Sequence, residues 1–90
     1  MKILRFGAIW CMYCLYMRPF WEEIEREFVG FEMAEYDADD QAEIHKRYAI
    51  KDIPTVIILD ESGAELGRIE GAKEKEELKK ILEEYITTDH

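Results

Sequence analysis

Thr55-Val56-Ile57-Ile58-Leu59 narrows the folds open to this chain more than any other segment. Five consecutive β-branched or apolar residues suit a central strand, because a strand with one face in water would alternate with polar residues. Around this segment the other elements fall into order. Residues 2–8 read as a short buried strand. Met17, Phe20, Trp21, Ile24 and Phe28 recur at three- and four-residue spacing, with Glu22, Glu23, Glu25, Arg26 and Glu27 on the opposite face. That pattern predicts an amphipathic helix from about Cys14, stopped by Gly30. Residues 31–37 follow as a second strand. Asp40, with Glu43 three residues on, has the form of a capping box opening a short helix to about Tyr48. Asp60-Glu61-Ser62-Gly63 is a turn, and 65–70 returns as an antiparallel partner of the central strand. Gly71 breaks the chain, and a last helix carries Leu78, Ile81, Leu82, Tyr85 and Ile86 on one stripe.

The expected order is β-α-β-α-β-β-α, an α/β fold. Strands alternating with helices point to a parallel core, to which the hairpin adds an antiparallel edge. The simplest packing is a four-stranded mixed sheet covered by three helices. Ninety residues, with no linker, repeat or low-complexity stretch, fit a single domain over 1–90.

Forty-eight percent hydrophobic residues can supply one core, whereas a net charge of −9 repels phosphate and anionic lipid. Nucleic acid and membranes are therefore not expected partners. No apolar run approaches the roughly 18 residues that a spanning helix needs. The start, Met1-Lys2-Ile3-Leu4-Arg5-Phe6, lacks the 7–15 or so apolar residues of a signal peptide, so the expected location is the cytoplasm.

Two cysteines occur, Cys11 and Cys14. A lone disulfide closing so small a loop constrains the unfolded chain weakly, so such a pair is more often redox-active or metal-binding than a staple. Its place is informative, since a strand ends and a helix begins there. A helix N-terminus presents unpaired N–H groups and a positive dipole end, and both stabilise a thiolate. A Cys so placed can have its pKa lowered from about 8.5 to between about 3.5 and 7.5. Cys11, nearer the end and expected to be the more exposed, is then the attacking thiol, and Cys14 the resolving one. Spacing of three puts both sulfurs on one helix face within bridging reach. Two buried apolar cysteines, or half of a zinc or iron–sulfur site, are the alternatives. The remaining soft ligands, His45 and His90, lack ligand spacing, so no metal is expected. His45 reads as a surface or packing residue.

Trp10-Cys11-Met12-Tyr13-Cys14 resembles the Trp-Cys-x-x-Cys site of thioredoxins. Pro19, five residues after Cys14, is similar to the proline that kinks that family's active-site helix. Ile53-Pro54-Thr55 resembles its cis-proline loop, and Gly71 the glycine that keeps its substrate groove open. The resemblance covers nearly the whole chain, without the additional N-terminal strand and helix of full thioredoxins. It implies a thioredoxin-like fold and a thiol–disulfide oxidoreductase that reduces protein disulfides, with no cofactor beyond the Cys11–Cys14 couple. A separate reductase would supply electrons, since nothing here resembles a nucleotide-binding loop, and the protein would act as a monomer. Trp10, Met12, Tyr13, Ile53, Pro54 and Gly71 are the implied substrate-binding residues. Trp10 would wall the thiols unless it is simply a core tryptophan. Pro54, if cis rather than an ordinary strand-start proline, leaves Ile53 main-chain groups free for strand addition.

Some positions depart from the family pattern. Arg5 stands where thioredoxins carry a buried Asp, and Glu35 where that Asp has a Lys partner. This inversion points to an Arg5–Glu35 ion pair behind the site, with Glu35 as proton relay for Cys14 and Arg5 favouring its thiolate; two unrelated solvent-facing charges are the alternative. Met12-Tyr13 replaces Gly-Pro and alters the redox poise. Tyr13 before the second cysteine is also similar to glutaredoxins, so a glutathione-linked oxidoreductase is one alternative function. A redox-sensing adaptor with little turnover is another.

Overall fold

A computed structural model describes residues 1–88, so His90 lies outside the described residues. Strands β1 (Lys2–Gly7), β2 (Glu32–Asp37), β3 (Thr55–Leu59) and β4 (Glu65–Glu70) form one sheet in the order β2-β1-β3-β4. Helices α1 (Met12–Glu27), α2 (Ala42–Arg47) and α3 (Lys75–Thr88) complete the expected β-α-β-α-β-β-α sequence.

The central strand is the one the apolar run marked. All five residues of β3 are buried. Val56 and Ile58 join Ile3, Met17, Trp21, Ile24, Leu78 and Leu82 on the face covered by α1 and α3. Ile57 and Leu59 turn the other way, with Leu4 and Phe6, toward Ile44 and Tyr48 around α2. A side chain such as Ile57, fully buried, contributes about 1.5–3 kcal/mol by leaving water. His45 packs edge-on to the Phe6 ring at 5.0 Å, and its Nε2 lies 3.1 Å from the Tyr36 carbonyl. It is therefore a packing residue. Lys79 pairs with Glu23 and Glu27 at 2.9 and 3.0 Å and ties α3 to α1 across the surface.

The sheet corrects two local expectations. Only β1 and β2 run parallel, whereas β3 is antiparallel to β1 as well as to β4. The six residues of α2 span only about 9 Å, too little to carry the chain back along the sheet. Thr55 therefore enters at the end where β2 leaves, paired with Phe6, which pairs with Tyr36 on its other side. The capping box is also absent. Gln41, not Asp40, is the N-cap of α2, and it makes no side-chain cap bond because its Oε1 accepts the Asp37 N–H at 2.9 Å instead.

This topology gathers four chain ends at one edge of the sheet. Gly7 and Asp37 end β1 and β2, Thr55 begins β3, and Glu70 ends β4. The dithiol lies on this edge.

Candidate functional site

Cys11 is the N-cap residue of α1, with Met12 the first helical position. Its Sγ accepts the Cys14 N–H at 3.2 Å and is disulfide-bonded to Cys14, the two Cα atoms being 5.2 Å apart. An N-cap acceptor normally is a hydroxyl or carboxylate oxygen; here the sulfur takes that place, and a thiolate there gains both the amide bond and the dipole end. Pro19, inside α1, has no N–H to return to the Leu15 carbonyl.

The exposure of the two cysteines is the reverse of the expected order. Cys11 is 6% exposed and Cys14 is half-buried. The Cys11 N–H donates to the Ala8 carbonyl at 3.1 Å and closes the turn that leads into α1. Exposure instead belongs to the residues around the pair. Trp10, Met12 and Tyr13 are 65, 79 and 62% exposed, so Trp10 is not a core residue.

The Ile53–Pro54 peptide is cis. Thr55 Oγ1 donates to the Asp52 carbonyl at 2.6 Å across this turn. Among the described residues no main-chain hydrogen bond engages Ile53, so its N–H and C=O stay open. Gly71 N–H donates to the Pro54 carbonyl at 2.9 Å, which brings the end of β4 beside the proline. Gly71 has φ +83°, a left-handed conformation suited to glycine, and a β-carbon there would meet nothing within 4 Å.

Behind the pair, Arg5 and Glu35 face each other in the β1–β2 register, and Arg5 Nη2 donates to Glu35 Oε2 at 2.8 Å. Their side chains are 19 and 54% exposed, so the pair is half-buried on the arginine side only. Arg5 also lies over the Trp21 ring at 5.2 Å. Burial lowers the Arg5 pKa and the neighbouring Glu35 opposes that shift; arginine remains a cation at any pH near neutrality. A hollow of about 30 Å³, wide enough for one water, is lined by Arg5, Glu35, Cys14 and Pro54. A second, of about 150 Å³, joins Cys14 and Glu35 to Gly7, Arg18 and Asp37. Glu35 therefore borders both openings to Cys14.

Several residues at the site were not legible as functional. Gly7 is one: a β-carbon there would lie 2.9 Å from the Cys14 Sγ. A glycine within a strand pattern is the signal for such a close approach. Asp37 is another. Its Oδ1 accepts the Asp39 and Asp40 N–H groups at 2.8 and 3.2 Å, and its Oδ2 the Ile9 N–H at 2.9 Å. These bonds lower its pKa, the Asp39 amide most. The Trp10 indole donates to Asp39 at 2.9 Å, so the β2–α2 loop holds the segment leading into Cys11. Among the described residues no cluster of three or more His, Cys, Asp or Glu side chains is placed to hold a metal ion.

The family model described as Thioredoxin matches residues 1–84. Thioredoxin H2-1 of Oryza sativa subsp. japonica is 34% identical over 80 residues, covering 89% of this chain and 56% of that protein. Thioredoxin M4, chloroplastic, of Arabidopsis thaliana is 31% identical over 85 residues, covering 93% of this chain and 44% of that one. The chain thus spans about half the length of these curated relatives. The crystal structure of thioredoxin from Trypanosoma brucei brucei matches with a TM-score of 0.86 at 32% identity, over 96% of this chain and 74% of the other. With the model spanning all but the last residues and the dithiol in place at the head of α1, this chain belongs to the thioredoxin family.

Proposed function

We propose that this protein is a thiol–disulfide oxidoreductase that reduces protein disulfides through the Cys11–Cys14 couple. The observation that carries the reading is the N-cap position of Cys11, whose sulfur accepts the Cys14 amide within bridging distance of Cys14. In the reduced protein that bond and the helix dipole favour the Cys11 thiolate at neutral pH. The thiolate attacks one sulfur of a substrate disulfide, forming a mixed disulfide and releasing the other sulfur as a thiolate, which is then protonated. Cys14, as thiolate, attacks the Cys11 sulfur of that mixed disulfide. This step releases the second substrate thiol and leaves the Cys11–Cys14 disulfide, so two electrons pass to the substrate.

Glu35 accepts the Cys14 proton, through the water-sized hollow both residues line, while the Arg5 cation favours the thiolate. The open Ile53 main chain beside Pro54 and Gly71 takes an extended substrate segment as an added strand, with Trp10, Met12 and Tyr13 as apolar contacts. A separate reductase returns the two electrons, and no further cofactor enters. The chain acts as a monomeric single domain in a reducing compartment such as the cytoplasm; no helix among the described residues is long and apolar enough to cross a membrane.

Insulin reduction driven by dithiothreitol tests the reading. The protein should accelerate it well above the dithiothreitol blank, and Cys11→Ser should abolish the acceleration. No acceleration by the native chain would overturn the assignment.

A further inference from the structure

Three side chains or segments of the exposed apolar collar each carry a carboxylate hydrogen-bonded to them. Asp37 holds the Ile9 N–H, Asp39 holds the Trp10 indole, and both Glu74 oxygens accept the Tyr16 hydroxyl at 2.7 and 2.9 Å. Ile9, Trp10, Met12, Tyr13 and Tyr16 are all exposed large side chains, and they surround the disulfide on the loop and first turns of α1. The carboxylates come from opposite sides. Asp37 and Asp39 lie in the β2–α2 connection, whereas Glu74 lies between Gly71 and α3. Asp40 adds a further charge on the first side, and no cation occurs from residue 37 to residue 43. Lys73 and Lys75 flank Glu74 in sequence and offset the second side, whereas Arg18 lines the hollow beside Asp37 and offsets the first side in part. The chain as a whole carries −9.

We infer that this collar selects disulfide partners whose cystine is flanked by apolar residues and then by Lys or Arg, and that it disfavours acidic ones. The inference rests on the oxidoreductase reading and adds the substrate class. Apolar contact covers Trp10, Met12 and Tyr13, and a cation beside the cystine meets the carboxylates of the β2–α2 connection. An acidic segment would set like charges against Asp37, Asp39 and Asp40.

The test uses three cystine peptides, identical except for Lys, Ser or Glu at the flanking positions, with dithiothreitol recycling the protein. At about 10 mM ionic strength kcat/KM should fall in the order Lys, Ser, Glu, with the extremes separated by at least about tenfold. At about 0.5 M salt the separation should shrink below about threefold. In the variant Asp40→Asn/Glu74→Gln the low-salt ratio should drop at least about threefold. Equal rates for the Lys and Glu peptides at low salt, or a ratio indifferent to salt, would overturn the inference. Binding to Cys11→Ser/Cys14→Ser, followed by Trp10 fluorescence, separates the two levels. Tighter binding of the Lys peptide with no reduction of any peptide by the native protein would support the surface and refute the oxidoreductase reading. Equal affinities would refute the surface.

Discussion

Gly7 and Cys14 are packed so closely that a methyl group on Gly7 would lie 2.9 Å from the Cys14 Sγ. The last residue of β1 thereby fixes how near the head of α1 can come to the sheet. Gly7→Ala should cost about 1–3 kcal/mol, the range for an extra methyl in a packed site. The same substitution in a Cys14→Ala background should cost less, since the sulfur is gone. Denaturant unfolding of the four proteins gives the coupling, expected at about 1 kcal/mol or more; strict additivity would contradict the contact.

Glu35→Gln keeps the shape of the Arg5 partner and removes its proton acceptor. Disulfide reduction should slow by about tenfold or more, the lower range for loss of a general base, and the rate should change shape with pH between 6 and 9. An unchanged rate across that interval would remove Glu35 from the proposed relay and leave it a strand ion pair. Stability should change little, because Glu35 is more than half exposed.

Asp37 contributes to stability through its ionised form. Its pKa is lowered in the fold by the Asp39 amide first, then by the Asp40 and Ile9 amides. A depressed carboxylate pKa means that the contribution is present above the unfolded value, near 3.8, and is lost as pH falls through the lower folded value. Asp37→Ala should therefore lower Tm at pH 7, and the gap to the native protein should narrow as pH falls below about 4. A Tm difference independent of pH would contradict this account.

Ile57→Ala should destabilise by about 2–5 kcal/mol, as a fully buried residue of β3 on the α2 face. Equilibrium unfolding in urea measures it. A loss below about 1 kcal/mol would show that the second core is dispensable.

The Thr55–Leu59 run was legible because burial on both faces demands continuous apolar residues, and it placed β3 to the residue. The amphipathic stripes of α1 and α3 were legible for the same reason. Strand direction was not, since it depends on how far a short α2 carries the chain. The dithiol and its N-terminal helix position could be read from the residues, whereas the meeting of Pro54 and Gly71 with it came through the family resemblance. The order of exposure of Cys11 and Cys14 was hidden, because it depends on how the chain leading into α1 packs, including the loop from Ala8 to Trp10. That loop is held by Asp37 and Asp39, about 30 residues away in sequence.

The exposure order makes the assignment of the attacking sulfur the central claim to test. The direct measurement is mass spectrometry of mixed disulfides formed by Cys14→Ser and Cys11→Ser with a protein disulfide substrate. With Cys11 as nucleophile, Cys14→Ser should accumulate a covalent substrate adduct on Cys11, and Cys11→Ser should accumulate almost none. Preferential trapping on Cys14, or equal trapping by both variants, would contradict the assignment.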